Sequence, residues 1–141
     1  MFKKIFNKQK KESLDNKNVL VAALLIHAAR IDENYTDIEK EIIKKALVEL
    51  NNISSDQAEN LIKFAEKKEE ESNQIVEFTR EIKKYSMEFR LKIIEVIWKI
   101  VYSDGTSDDY ESNLIRRICG LLYISDKDNG IIKAKVQNLL K

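Results

Sequence analysis

Two apolar stretches decide the fold, Val19-Leu20-Val21-Ala22-Ala23-Leu24-Leu25-Ile26 and Ile93-Ile94-Glu95-Val96-Ile97-Trp98-Lys99-Ile100-Val101. Each stretch is apolar around nearly its whole circumference when drawn as a helix, and helices of that kind occupy the centre of a bundle. The longest apolar run, residues 19–29, is eleven residues long with His27 inside it, whereas a membrane-spanning helix takes roughly 18 or more. Both stretches are therefore predicted to be core helices of one bundle.

The composition of the chain points to an all-α fold. Its 141 residues include no proline and three glycines, and 35% of them are charged against 43% apolar. A turn-rich β-sandwich or barrel needs more proline and glycine than this. The balance of charged and apolar residues is instead typical of amphipathic helices. Helical periodicity and cap signals at Ser54-x-x-Gln57 and Ser125 predict about seven helices in a single bundle-like domain. The predicted helices cover residues 18–30, 36–50, 55–71, 73–84, 87–102, 108–122 and 126–140.

The residues that most enzyme classes and metal motifs need are missing from this sequence. The single Cys119 excludes a disulfide framework, and together with the single His27 it excludes multi-histidine and Cys-x-x-Cys metal sites. The three glycines are too scattered for a phosphate-binding loop. We therefore expect no catalytic residue, no organic cofactor and a reducing, cytoplasmic location. Cys119 is interpreted as a small core residue, His27 as a ring packed at a helix edge, and residues 66–71 as a solvated helix face.

The first 17 residues are predicted to form a basic amphipathic tail in front of a helical domain over residues 18–141. Within residues 1–12, five lysines stand against Glu12 and give a formal charge of +4. A helix there would gather its apolar residues on one side with lysines around them, a pattern typical of membrane-surface or partner-binding segments. The residues predicted to make that contact are Phe2, Lys3, Lys4, Ile5 and Phe6. The alternative is a solvated end whose aromatic rings rest on the domain.

An internal repeat relates the two halves of the chain. Residues 24–39 align with residues 96–111 at a constant offset of 72, so each central helix runs into an acidic loop and then into a second helix. We call residues 30–39 the first acidic loop and residues 102–111 the second. The alignment pairs Asp32 with Asp104, Asp37 with Asp109 and Glu39 with Glu111. The simplest explanation is a duplication of one helix–acidic loop–helix unit.

The second copy, Tyr102-Ser103-Asp104-Gly105-Thr106-Ser107-Asp108-Asp109-Tyr110-Glu111, resembles the Asp-Gly signature, with a Glu seven residues after its Asp, of the tellurite-resistance TerB family and of TerB-like domains. The similarity extends over residues 18–140. It implies an all-helical fold of two pseudo-twofold halves, divalent-cation binding, and the assembly of stress-response complexes near the membrane. The first copy has Glu33 where the second has Gly105, so its turn need not share the same backbone geometry.

The loop carboxylates themselves suit a hard cation, because calcium, magnesium and manganese prefer oxygen ligands. The spacing differs from that of an EF-hand, whose first and last ligands are eleven residues apart. A site would have to combine both loops, with Asp32, Glu39, Asp104 and Glu111 as metal ligands and Asp37, Asp108 and Asp109 as secondary candidates. The alternative is purely structural, because Thr36-x-x-Glu39 and Asp108-x-x-Glu111 also match helix capping boxes.

The sequence as a whole predicts a non-enzymatic, TerB-like module that assembles with a protein partner in a stress response, in the cytoplasm or at the inner membrane surface. Its expected cofactor is a divalent cation at the acidic loops, or none. Nucleic acid is not expected as a partner, because Arg116-Arg117 is the only pair of adjacent arginines in the sequence and the lysines outside the tail are scattered. Two alternatives stay open: a metal-dependent enzyme that uses paired carboxylates, and a peripheral membrane adaptor that uses the tail. The oligomeric state is left open.

Overall fold

A computed structural model describes residues 17–32, 35–71, 74–104 and 109–139. These residues form seven α-helices and no strand, which confirms the all-α prediction. The helices are α1 (residues 17–29), α2 (Asp37–Asn51), α3 (Ser55–Glu71), α4 (Ile75–Ile82), α5 (Met87–Val101), α6 (Asp109–Leu121) and α7 (Asp126–Leu139). Their bounds agree with the predicted ones to within two residues, because apolar periodicity and cap signals are local properties of the sequence.

Three of the helix starts use the caps that the sequence predicts. At α2 the Glu39 amide donates to the Thr36 hydroxyl at 3.1 Å and the Thr36 amide donates to the Glu39 carboxylate at 3.0 Å, a complete capping box. At α3 the same exchange joins Ser54 and Gln57 at 3.1 and 2.9 Å. At α7 the Ser125 hydroxyl accepts from the amide three residues later at 3.1 Å. Each such cap stabilises its helix by about 1 kcal/mol.

The two decisive apolar stretches lie at the centre of the bundle, as predicted. Residues 21–26 of α1 are fully buried, and so are Ile93, Ile94 and Ile97 of α5. The buried Trp98 joins α5 to α7, because its indole N–H donates to the Asn129 side-chain oxygen at 2.9 Å. Burying each of these aliphatic side chains contributes about 1.5–3 kcal/mol before entropy is counted, so this pair of helices supplies much of the core. Among the helices in the described ranges, none combines the length and the hydrophobicity needed to cross a membrane.

Around this core, α2 packs against α3 and α5, α5 also packs against α6 and α7, and α4 packs against α6. Each central helix ends in a short 3-10 turn, Arg30–Asp32 after α1 and Tyr102–Asp104 after α5. The two turns are 72 residues apart, and α2 and α6 also start 72 residues apart. The local secondary structure thus repeats at the offset of the sequence alignment, while the duplication itself stays a prediction.

The single cysteine belongs to the core. Cys119 is buried in α6, with 1% of its surface exposed. This burial, with the nearby charge of Asp126 as a smaller cause, raises the pKa of its thiol to about 12. The interpretation of Cys119 as a core residue is therefore confirmed.

Candidate functional site at the first acidic loop

Most of the predicted site residues fall outside the part of the chain whose side chains are described. This applies to the predicted ligands Asp32, Asp104 and Glu111, to the secondary candidates Asp108 and Asp109, and to the tail residues Phe2, Lys3, Lys4, Ile5 and Phe6. The backbone of the two aspartates at positions 32 and 104 is described, and each ends a 3-10 turn. Of the candidates, Glu39 and Asp37 have described side chains. The cation site that spans both loops stays a prediction.

Glu39 is buried at the start of α2, with 5% of its surface exposed. Its Oε1 atom accepts hydrogen bonds from both the amide and the hydroxyl of Thr36, each at 3.0 Å. The capping alternative is therefore confirmed for this glutamate, and a cation bound through Oε1 would have to share or replace the cap. Asp37 is exposed in the same first turn, where a negative charge interacts favourably with the helix dipole.

A buried glutamate on α3 faces the first acidic loop, and it corrects one prediction. Glu69 has only 6% of its surface exposed, so the interpretation of residues 66–71 as a uniformly solvated face is wrong at this position. The buried residues of α3 follow a helical stripe, Ala58, Leu61, Ile62, Ala65 and Glu69. Glu69 thus continues the apolar face by one turn, a periodicity signal that the surrounding charge run conceals.

Among the residues that the structure describes, the carboxylate of Glu69 has two partners, both near the end of α1. The Arg30 guanidinium forms an ion pair with it, and His27 Nδ1 lies 3.2 Å from its Oε1 atom. Burying a carboxylate costs a large solvation energy unless it is paired, and these two groups supply the pairing. The His27 ring also packs against Phe78, with 6.3 Å between the ring centroids. His27 therefore packs its ring as predicted and also contacts a buried acid, which the sequence does not indicate.

Arg30 connects the first acidic loop to the last turns of α3. Besides Glu69, its guanidinium lies 3.8 Å from Glu66 and 3.5 Å from Glu70. Its Cζ atom lies 5.1 Å from the centroid of the Tyr35 ring, within range of a cation–π interaction. Because the Glu70 side chain is 66% exposed, its pair with Arg30 adds little stability. The pair of Arg30 with the buried Glu69 therefore accounts for most of the connection between the loop and α3.

Tyr35 occupies the space between this ion-pair cluster and the start of α2. Its hydroxyl is buried and has no hydrogen-bond partner among the residues that the structure describes. Desolvation by burial, with the negative charge of Glu66 as the next cause, raises the pKa of the phenol well above its usual value. Tyr35 is therefore neutral at physiological pH. The ammonium group of Lys40 lies 4.8 Å from its ring centroid.

The second acidic loop is attached differently. Tyr102, which aligns with Arg30 at the offset of 72, accepts a 2.7 Å hydrogen bond from the Gln137 side chain of α7. Its ring stacks on Trp98, with centroids 5.6 Å apart and planes inclined by 20°. Arg30 thus contacts α3 through charges, whereas Tyr102 contacts α7 through a neutral hydrogen bond and stacks on a ring of α5, the helix that it follows.

The exposed side of the first acidic loop continues onto α2. Ile38 is 64% exposed and lies with Ile42 in a shallow groove of about 400 Å³. Asp37, Glu41 and Lys45 border the groove, which we call the α2 groove. In the ranges whose side chains are described, no group of three or more His, Cys, Asp or Glu side chains is arranged to hold a metal ion.

Over the described ranges, the architecture is that of a small all-helical module. The sequence model of the family described as tellurite resistance protein TerB matches residues 18–134. The chain therefore belongs to the TerB family, in agreement with the resemblance of its repeated acidic loops. No curated protein and no solved structure matches the chain.

Proposed function

We propose that this chain is a non-enzymatic interaction module of the TerB type that binds a partner protein in a stress response through the surface of its first acidic loop. The observation that carries the proposal is the exposure of Ile38 between Asp37 and Glu41 on the first turns of α2. Membership of the TerB family supports the stress-response setting. The proposed location is the cytoplasm, including the inner membrane surface.

The acidic residues of this region have two different roles, one structural and one at the surface, and this difference supports the proposal. Glu39 caps α2, and Glu69 holds Arg30, so these two carboxylates position the loop. Asp37 and Glu41 project into solvent around an exposed isoleucine. An apolar centre with a charged rim is the usual anatomy of a protein interface. A partner with a basic, partly apolar segment would match it, because complementary charges speed association and fix the orientation.

A photoreactive amino acid at position 38 tests the proposed face in cells of the source organism. We expect a discrete cross-linked species that weakens when Asp37→Asn/Glu41→Gln removes the rim charges. The matched control carries the same probe at Ile131, an isoleucine of similar exposure on α7. Equal cross-linking from both positions, or none from position 38, would contradict the proposal.

A divalent cation at the two acidic loops is a second candidate function. The donor set fits calcium, magnesium or manganese by its chemistry, since Asp32, Glu39, Asp104 and Glu111 all offer hard carboxylate oxygens. Such a cation would neutralise the loop carboxylates, while Glu39 would give up part of its capping role at Thr36. A metal-dependent enzyme and a membrane adaptor that uses the basic tail remain as alternative proposals.

A further inference from the structure

A second groove lies at the opposite end of α1 from the acidic loop, between the start of α1 and the first half of α3. Its volume is about 400 Å³, and its apolar lining consists of Val19, Ile53, Leu61 and Phe64. Phe64 is 69% exposed, the largest exposed fraction among the large apolar side chains of the described residues. One face of the molecule therefore carries both an exposed aromatic ring and a concave apolar surface. We call the concave surface the α1–α3 groove.

Four residues of α3 line this groove with the spacing of a coiled-coil hole. They stand at positions i, i+3, i+4 and i+7 of the helix, and they are Gln57, Asn60, Leu61 and Phe64. In a coiled coil, four residues with this spacing receive one side chain of the facing helix, the knob. Each chain thus has a hole and, in the exposed ring of Phe64, a side chain that can act as a knob.

We infer that this face of α3 binds a second copy of the chain, with the two α3 helices antiparallel and the Phe64 ring of each copy seated in the α1–α3 groove of the other. A surface that carries both a knob and its hole can pair with itself around a two-fold axis, which closes the assembly at a dimer. The contact lies on α3, whereas the partner-binding face proposed above lies on α2, so either one can fail without the other.

The charges beside Phe64 match in this antiparallel arrangement. At about 100° per residue, Asp56 and Lys67 lie on the same flank of α3, about 80° and 60° around the helix from Phe64. A two-fold axis across two antiparallel helices brings the same flank of both helices together. With Phe64 of one copy opposite the middle of the hole, Asp56 of that copy lies within roughly 2 Å, along the helix axis, of the level of Lys67 in the other. The dimer therefore contains the pair of Asp56 with Lys67 twice.

Asp56 and Lys67 are both available for such a pair. Their side chains are exposed, and neither forms an ion pair within the described part of the chain. Lys44 of α2 is paired with Glu59 at 2.8 Å, and this hydrogen bond is the main reason why the pKa of Lys44 is raised, whereas the charge of Asp56 is the weakest cause. Glu59 lies about 140° around the helix from Phe64, so its pair with Lys44 stays outside the dimer contact.

Sedimentation-velocity ultracentrifugation of the full chain measures the dimer. We expect the wild type to pass from monomer to dimer as its concentration rises from about 10 µM to about 1 mM. Phe64→Ser removes the knob from both copies and should raise the dimer Kd at least about tenfold. Ile131→Ser, which removes an exposed apolar side chain from α7, should leave the Kd unchanged. A wild type that stays monomeric throughout, or a Kd that is the same in Phe64→Ser, would overturn the inference.

A charge exchange tests the antiparallel pairing. Asp56→Lys and Lys67→Asp, each alone, place like charges opposite each other in the dimer and should raise the Kd about threefold to tenfold. Asp56→Lys/Lys67→Asp restores opposite charges and should return the Kd to within about twofold of the wild-type value. A double variant that is as weak as the single ones would contradict the pairing and overturn the proposed arrangement.

A disulfide test identifies the occupant of the face as a second copy. Asp56→Cys and Lys67→Cys, mixed under mild oxidation, should form a disulfide-linked dimer of one chain of each kind. Each variant alone should form far less, because the two copies of position 56 lie roughly 19 Å apart along the helix axis. The native Cys119 does not interfere, because its thiol is buried. Equal yields from the mixture and from the single variants, or none from the mixture, would overturn the inference.

Discussion

Arg30, at the end of α1, forms an ion pair with Glu69 of α3, and this pair fastens the first acidic loop to the third helix. Glu69 is the buried member, and His27, one turn before Arg30, contacts the same carboxylate. Arg30, which leads into the loop before α2, is therefore anchored to α3 through a buried carboxylate.

Replacing Glu69 with glutamine should destabilise the protein by about 1–3 kcal/mol, because Arg30 and His27 lose their shared anion. Glu70→Gln, one residue further and mostly exposed, should change the stability by less than about 0.5 kcal/mol. Urea denaturation followed by circular dichroism measures both values. Similar losses in the two variants would show that burial of Glu69 does not matter.

Tyr35→Phe should raise the stability at neutral pH by about 1 kcal/mol, since it removes a buried hydroxyl without a partner among the described residues. It should also change the pH dependence. The pKa of Tyr35 is raised in the folded state. Above pH 10.0, the pKa in the unfolded chain, the unfolded chain therefore releases a proton that the folded chain retains. The free energy of unfolding then falls as the pH rises.

The loss of stability at alkaline pH should be smaller in Tyr35→Phe than in the wild type. Thermal unfolding between about pH 8 and about pH 11 covers the relevant window, because the pKa of an unperturbed tyrosine is about 10. Tyr123→Phe is the matched control, because Tyr123 is exposed and should leave the pH profile unchanged. Parallel profiles for Tyr35→Phe and the wild type would contradict the prediction.

The thiol of Cys119 should resist alkylation in the folded protein. Its pKa of about 12 leaves almost no thiolate near neutral pH, and thiolate is the reactive form. Iodoacetamide labelling followed by mass spectrometry should proceed only as fast as the protein unfolds, and a denaturing concentration of urea should restore rapid labelling. Fast labelling under native conditions would contradict the buried position.

Cation binding and capping predict different responses to mutation. If the two loops share a cation, calcium, magnesium or manganese at a hundred times its Kd should stabilise the wild type by about 2.7 kcal/mol relative to EDTA. Asp32→Asn and Asp104→Asn should each abolish that gain. Loss of the side-chain half of the cap in Glu39→Ala should instead cost about 1 kcal/mol with EDTA present as well. No shift with any of the three ions would remove the cation proposal.

The helices and their caps could be predicted because their signals are local. A pair such as Thr36 and Glu39 specifies its own hydrogen bonds wherever the helix packs. Glu69 could have been suspected from its place four residues after Ala65 on the buried stripe, but six consecutive charged residues from position 66 suggest a solvated face. The partners of Glu69 could not have been predicted, because His27 and Arg30 approach Glu69 only when α1 packs against α3.

Phe64 on α3 is a second case in which the sequence could not predict the tertiary environment of a residue. Phe64 interrupts the polar side of α3, and an apolar residue in that place is equally typical of a helix-packing contact. Its exposure, and the concave surface beside it, depend on how α1 and α3 meet. Tertiary packing of this kind is not encoded in any short segment of the sequence.

The ionic contacts of Arg30 and the neutral contacts of Tyr102 respond differently to salt. Rising ion concentrations screen the partly exposed pairs of Arg30 with Glu66 and Glu70, but they leave a hydrogen bond and a ring stack almost untouched. The buried Arg30–Glu69 pair is screened much less and keeps Arg30 against α3. Added salt is therefore expected to weaken only the outer pairs of this anchor and to leave its inner pair in place.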